Sequence, residues 1–229
     1  MSDFVVGLDL GQAQDFSAIC VVELIEKERE RREYYVRHLQ RFKLGTPYPE
    51  IVAAVAGLMR MLKEESALVV DATGVGRPVV DLLVQAQLNP IAVTITGGSH
   101  VTSGSGSYRV PKRDLVMALT VALQRGRLKI AAGLPDAETL IEELLNFKVK
   151  INLKTAHDSY EAWREGQHDD LVLAVALAVW YAIRAIGLDD GPDSEMGNDE
   201  RWMRGLPENT GDDMALISAG GGLETRNYL

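Results

Sequence analysis

Four aspartates occupy positions where a carboxylate needs a partner or a function. Asp9 closes the apolar run "DFVVGLDL" and Asp71 closes "ALVVD", so each ends a predicted buried strand. Asp169 and Asp170 stand together at the start of the apolar run "LVLAVALAVWYAI". Burying a carboxylate is costly unless it is paired with a base or binds a metal. For Asp169 or Asp170 taken singly, capping of the helix that follows is a sufficient explanation.

A metal site accounts for the four aspartates together. Strand ends in an open sheet collect at one edge, where ligands usually bind. No lysine or arginine lies within a few residues of Asp9, so converging carboxylates need a divalent cation unless a basic partner comes from elsewhere in the chain. Carboxylate oxygens are hard ligands that suit Mg²⁺ or Mn²⁺. Because neighbouring helix positions differ by about 100°, we expect one of the adjacent pair to face the site fully, and we favour Asp170.

These aspartates are positioned, on this pattern, by an α/β domain with a mixed sheet. Three β-branched and aliphatic runs, "DFVVGLDL", "SAICVVELI" and "EYYVRHLQRF", are joined by short links, which predicts an antiparallel meander. The order then becomes helix, strand, helix, strand as far as "PIAVTIT". That alternation predicts parallel strands with helices on the faces of the sheet.

The pattern after the fifth strand is less regular. "GGSHVTSGSGS" predicts a loop, residues 112–124 a helix, and Asp136 a cap for a further helix over "AETLIEELLN". "FKVKIN" and "SYEAW", on either side of "LKTAHD", predict a β-hairpin. The last helix is expected to begin near Asp169.

Charge is distributed unevenly along the chain, whose net charge is −9. Residues 187–229 contain ten acidic residues and three arginines and are rich in Gly, Asp, Asn and Pro. We predict a domain over residues 1–186 followed by a flexible acidic tail over residues 187–229. From Ser107 to Ile130, six bases accompany one acid, Asp114. This pattern is typical of a phosphate-binding surface and equally of a solvated helix with basic ends.

The composition favours a cytoplasmic protein. Cys20 is the only cysteine, which excludes an internal disulfide and a cysteine-rich zinc site. The start "MSDFVVGLDL" lacks the basic and apolar segments of a signal peptide. The apolar run from Leu171 to Ile183 is shorter than the roughly 20 residues of a membrane helix. We therefore expect a soluble protein that has no membrane partner.

Together, the motifs resemble the nuclease domain of phage large terminase subunits, which belongs to the RNase H-like superfamily. The resemblance rests on the order and spacing of "VVGLDLGQAQDFSAI", "LVVDATGVG" and "GQHDDLVLAVALA". With "VPKRDLVMALTVALQRGRL" and "LIEELLNFKVKI" it extends over residues 3–186. It implies an RNase H-like mixed sheet with an added β-hairpin at "FKVKINLKTAHDSYEAW".

The resemblance also implies an activity. A chain of this family would be a DNA endonuclease that hydrolyses phosphodiester bonds with two metal ions, Mg²⁺ or Mn²⁺, and cuts concatemeric viral DNA during packaging. The catalytic metal ligands would be Asp9, Asp71, Asp169 and Asp170. The accessory residues would be Asp15 and His168, for which an ordinary turn aspartate and a surface histidine are the alternatives.

The same resemblance implies partners. The residues that contact the backbone of double-stranded DNA would be Arg109, Lys112 and Arg113. The protein partners would be a terminase ATPase, a small terminase subunit or a portal protein, in the host cytoplasm if the chain is viral or from a prophage.

One departure and three alternatives accompany the resemblance. The chain contains no Walker A loop, GxxxxGK[ST], so it would be an isolated nuclease domain, a split-off gene product or a relative with another task. "GLDLG" before a hairpin also opens ATPases of the actin–hexokinase type, which need a second phosphate loop and leave the aspartate pair unexplained. A Holliday-junction resolvase would have the same site without the hairpin or the tail. A non-catalytic DNA- or portal-binding module would keep only the fold.

Overall fold

The computed structural model describes residues 4–11, 15–27, 31–62, 66–74, 77–152 and 169–184. Within these ranges the chain forms one eight-stranded mixed sheet with the order β6-β7-β5-β4-β1-β2-β3-β8. The strands are β1 (Phe4–Asp9), β2 (Ala18–Lys27), β3 (Arg31–Arg41), β4 (Ala67–Asp71), β5 (Pro90–Thr96), β6 (Thr102–Gly104), β7 (Ser107–Pro111) and β8 (Leu128–Ile130). β1, β2 and β3 form an antiparallel meander, whereas β4, β5 and β7 run parallel to β1. The predicted mixed sheet is confirmed.

Helices cover both faces of this sheet. Those that the structure describes are α1 (Tyr48–Met61), α2 (Arg77–Gln85), α3 (Lys112–Gln124), α4 (Ala137–Asn152) and α5 (Asp170–Arg184). Alternate residues of β1 point to opposite faces, as the pleat of a strand requires. Val6 and Leu8 belong to the core under α1 and α2, and Val5 belongs to the core under α3 and α5.

Helix α5 is buried on nearly all sides, with eleven of its fifteen residues inside the core. It lies against β1 and β2, and a Cβ added to Gly7 in β1 would lie 1.9 Å from the carbonyl oxygen of Ala174. Glycine is therefore what allows the helix to approach the strand so closely. The apolar run at the end of the domain is a core helix, as its length predicted. Among the described residues, no helix has both the length and the apolar character needed to cross a membrane.

Very short strands stand at both ends of the sheet. β6 pairs with β7 in a hairpin, and β8 pairs with β3 over three residues only. The hairpin lies where the sequence predicted a loop, and Gly106 in its turn has φ +67°, a conformation that glycine adopts at little cost. Three-residue strands carry too few positions for an alternating pattern to be detected.

The hairpin predicted at "FKVKINLKTAHDSYEAW" differs from the structure in its first arm, because α4 continues through Asn152. The alternation of Val149 and Ile151 with lysines suggested a strand. No glycine or proline interrupts the chain between Pro135 and Asn152, however, and Leu, Glu and Lys favour a helix. The rest of the predicted hairpin, residues 153–168, lies outside the described residues, as does the predicted tail over residues 187–229.

Candidate functional site

Asp9 and Asp71 lie side by side at one edge of the sheet. β1 and β4 are adjacent and parallel, with Leu8 paired to Val70, so the next residue of each strand is an aspartate at the same level. Both aspartates are buried, with relative exposures of 6% and 5%. The strand pairing alone thus brings two carboxyl groups together in a poorly solvated position.

The turn after β4 orients the carboxylate of Asp71. Its Oδ1 accepts the backbone N–H of Thr73 at 2.7 Å, and the Oγ1 of Thr73 accepts the N–H of Ile95 at 2.7 Å. Asp71 is therefore tied through one threonine to β5, the neighbouring strand.

The turn between β1 and β2 is closely packed around Gly11. The N–H of Gly11 donates to the Oγ of Ser17 at 3.1 Å, and its carbonyl oxygen accepts the hydroxyl of Tyr48 at 3.0 Å. A Cβ on Gly11 would lie 2.3 Å from the carbonyl oxygen of Asp15. The second glycine of "GLDLG" is thus accounted for by the closeness of the turn, with no nucleotide phosphate required. Asp15 itself is exposed in this turn.

Asp169 and Asp170 begin α5 at the same place. The carbonyl oxygen of Asp169 accepts the N–H of Leu173 at 2.9 Å, so Asp169 caps the helix through its backbone. Asp170 is the first residue of α5 and has a relative exposure of 5%, whereas Asp169 is half-buried. Of the adjacent pair, Asp170 lies deeper.

These carboxyl groups form one electrostatic cluster centred on Asp9. Burial raises the pKa of Asp9 well above its usual value, and neighbouring negative charges raise it further. In order of decreasing effect, they are those of Asp71, Asp170, Asp169 and Asp15. An added positive charge would favour the ionised form of Asp9. The arrangement is therefore suited to hold a cation.

Two further residues of the site carried no signal in the sequence. Arg41, at the end of β3, contacts the carboxylate of Glu143 with its guanidinium, and its Nε lies 3.7 Å from Oδ2 of Asp170. Glu143 lies in α4 and has a relative exposure of 7%. In the sequence, Arg41 is one base of a basic strand and Glu143 one acid of an ordinary amphipathic helix. The basic partner from elsewhere in the chain, which the sequence left open, is Arg41.

Asp136 has a different role from the helix cap that the sequence predicted. Its φ is +61°, outside the extended region usual for an N-cap residue. Its Oδ2 instead accepts the backbone N–H of Arg41 at 2.9 Å. Asp136 therefore fixes the end of β3 beside the start of α4.

The donor chemistry fits a divalent cation, although the ligands are not preassembled. Asp9, Asp71 and Asp170 offer buried carboxylate oxygens, which Mg²⁺ and Mn²⁺ prefer. Among the residues that the structure describes, no three or more His, Cys, Asp or Glu side chains are grouped so as to hold a metal ion. Asp71 faces a backbone N–H and Asp170 faces Arg41, so a cation would have to compete with both contacts. His168, predicted as an accessory residue, lies outside the described residues.

The predicted DNA contacts lie on β7 and the start of α3. Because β7 runs parallel to β5, β4 and β1, Lys112 and Arg113 follow it at the sheet edge that holds Asp9 and Asp71. Arg113 donates to the carbonyl oxygen of Ser99 at 2.7 Å, which gives it a structural contact within the domain. Arg109 is exposed on β7.

No protein-family model and no curated protein matches this chain, but solved structures do. The large terminase nuclease from thermophilic phage G20c superposes with a TM-score of 0.52 and 23% identity, covering 79% of this chain and 81% of that one. The human cytomegalovirus terminase nuclease domain, soaked with Mn, gives 0.51 and 15%, covering 79% and 84%. The large terminase from a second thermophilic bacteriophage gives 0.50 and 13%, covering 80% of this chain but 40% of that longer one.

Identities of this size establish a common fold. The three neighbours share the mixed sheet with flanking helices that the strand order shows here. The fold that the sequence motifs implied is therefore confirmed: this chain is an RNase H-like domain, and terminase large-subunit nucleases are among its structural neighbours.

Proposed function

We propose that this chain is a divalent-metal-dependent endonuclease that hydrolyses phosphodiester bonds of double-stranded DNA during viral genome packaging. The observation that carries the proposal is the meeting of Asp9, Asp71 and Asp170, from β1, β4 and α5, at one buried edge of the sheet. The similar structures support it, because each belongs to a terminase and two are named as its nuclease.

The proposed ligands are the buried aspartates Asp9, Asp71 and Asp170, with Asp169 and Asp15 near them. Bound Mg²⁺ or Mn²⁺, two per site, would lower the pKa of a water and offset the negative charge that develops on the cleaved phosphodiester. Asp9 would release a proton as the cation binds, because its carboxyl group takes up a proton more readily than a solvated one. No side-chain nucleophile is needed in this scheme.

The proposed phosphate contacts are Arg109, Lys112 and Arg113. Lys112 and Arg113 follow the strand that ends beside the aspartates, so a DNA backbone at the site would pass close to them. Arg109 is exposed and Arg113 is partly engaged by Ser99, so we assign the larger electrostatic role to Arg109. In packaging, the substrate would be concatemeric DNA and the protein partners an ATPase, a small terminase subunit or a portal protein.

The test of the proposal is cleavage of supercoiled plasmid in EDTA, Mg²⁺ or Mn²⁺. We expect nicking and linearisation with either metal and none in EDTA. Asp71→Asn keeps an oxygen that can accept the N–H of Thr73 but removes the charge. Cleavage should fall by more than about 100-fold, because even residues that merely support metal ligands typically account for about 10- to 100-fold.

The matched control is Asp81→Asn, which removes a carboxylate of the same kind from the exposed surface of α2. This variant should cleave as the wild type does. If the folded wild-type chain cleaves no DNA with either metal, or if Asp71→Asn stays as active as Asp81→Asn, the proposal is wrong.

A further inference from the structure

Arg41 joins three parts of the fold beside Asp170. Its side chain is 18% exposed, its guanidinium contacts Glu143, and its Nε lies 3.7 Å from Oδ2 of Asp170. The guanidinium carbon also lies 5.0 Å from the ring centre of Phe16, in the range of a cation–π contact. The positive charge of Arg41 is thus held against the carboxylate cluster instead of extending into solvent.

Glu143 holds both Arg41 and the start of α5. Its Oε1 faces the guanidinium, and its Oε2 accepts the backbone N–H groups of Leu171 and Val172, each at 3.1 Å. A carboxylate at this position satisfies N–H groups that have no partner within the helix and interacts favourably with the helix dipole. Helix α4 therefore fixes together the helix that carries Asp170 and the base that faces it.

The position of Arg41 sets it in competition with a metal ion. In the proposed function, on which this inference rests, Asp170 is a metal ligand. The guanidinium and a divalent cation would then draw on the same carboxylate and repel each other at short range. In the described structure, the contact with Arg41 also supplies Asp170 with a positive charge in the absence of metal.

We propose that Arg41 is the resident counter-ion of this site. Arg41 holds Asp170 while no divalent cation is bound and exchanges that contact for the cation on binding, and Glu143 keeps the released guanidinium in place. Arg41 and Glu143 are positioning residues in this scheme. The affinity for metal is set partly by how strongly Arg41 holds Asp170.

The test is calorimetric titration of Mn²⁺ into the metal-free chain at pH 8, without DNA. Arg41→Gln removes the competing charge, so the Kd for Mn²⁺ should fall by about tenfold. Glu143→Gln deprives Arg41 of its other carboxylate and strengthens its hold on Asp170, so the Kd should rise by about the same factor. Arg41→Lys keeps the charge and should stay within about threefold of the wild type.

The opposite signs of the two shifts distinguish competition from a purely structural role. Loss of packing or of helix capping would weaken Mn²⁺ binding in both variants. Arg41→Gln leaves Glu143 buried without its base and can unfold for that reason. In that case Arg41→Gln is combined with Glu143→Gln, which removes both charges, and the Kd should still fall because Asp170 has lost its competitor.

Failure of this inference differs from failure of the proposed function. If the wild type binds Mn²⁺ and Asp71→Asn does not, but Arg41→Gln or the double variant binds no more tightly than the wild type, the counter-ion role of Arg41 is wrong and the metal site stands. If the folded wild type binds no Mn²⁺, the metal site is wrong and the counter-ion role falls with it.

Discussion

Replacing Gly7 by alanine tests how closely the site depends on the seating of α5. The new Cβ would lie 1.9 Å from the carbonyl oxygen of Ala174 and 2.9 Å from its carbonyl carbon, whereas ordinary contacts begin at 3.4 Å. The helix would have to retreat by about 1.5 Å, since the obstructing atoms are backbone and cannot rotate away. Inserting atoms into a packed core typically costs about 1–3 kcal/mol.

We expect Gly7→Ala to lower the free energy of unfolding by about 2–3 kcal/mol. This value is the upper part of the overpacking range, reduced by the roughly 0.5–1 kcal/mol that alanine gains over glycine in a regular element. Asp170 moves with α5, and a displacement of about 1 Å at a catalytic group can cost about 100-fold in rate. The assays are urea unfolding followed by circular dichroism, and plasmid cleavage at a temperature where the variant is folded.

The control for this experiment is Gly57→Ala, inside α1. A Cβ at Gly57 would meet only the end of the Arg60 side chain, at 3.8 Å, so alanine should stabilise the chain by about 0.5–1 kcal/mol through its helix propensity. An unchanged unfolding midpoint and full activity in Gly7→Ala would refute the reasoning, because α5 would then tolerate a methyl group where the structure leaves no room.

Two further predictions concern charge. The pKa of Asp9 is raised in the folded chain, so the metal-free wild type loses stability as the pH rises from about the usual value of 3.8 through the raised pKa. Asp9→Asn lacks that loss, so its advantage in urea unfolding in EDTA should be small near pH 4 and larger near pH 8; an advantage independent of pH contradicts this. Arg109→Ala should weaken DNA binding equally for all sequences and lower the salt slope of the affinity by about 1. Anisotropy titrations in EDTA check this, with Lys129→Ala, on the distant strand β8, as the control; an unchanged slope removes Arg109 from the interface.

The central part of the fold could be predicted from local patterns. β1 and β4 are short apolar runs that each end in an aspartate, and α3 occupies Lys112–Gln124, the residues that the pattern assigned to it. These elements are long enough for side-chain periodicity to reflect burial. The same periodicity failed at "FKVKIN", where β-branched residues alternate within a helix.

Contacts between distant residues could not be predicted in this way. The sequence indicated that buried aspartates needed a positive charge, but nothing near Arg41 or Glu143 in the chain distinguishes them from other charged residues. Asp136 was an obvious helix cap, yet its carboxylate bonds to the backbone of β3. Each of these roles depends on which elements become neighbours in the folded sheet, and a single sequence does not contain that information locally.

The ends of the sheet make it a poor template for ordered aggregation. An edge strand exposes backbone N–H and C=O groups that can pair with a strand of a second molecule. Here the outermost strands, β6 and β8, have three residues each, and Asp136 occupies the N–H of Arg41 on the edge of β3 that β8 leaves uncovered. The long apolar strands in the centre are thereby kept from pairing between molecules, which protects the domain against fibril growth when it is crowded with other copies.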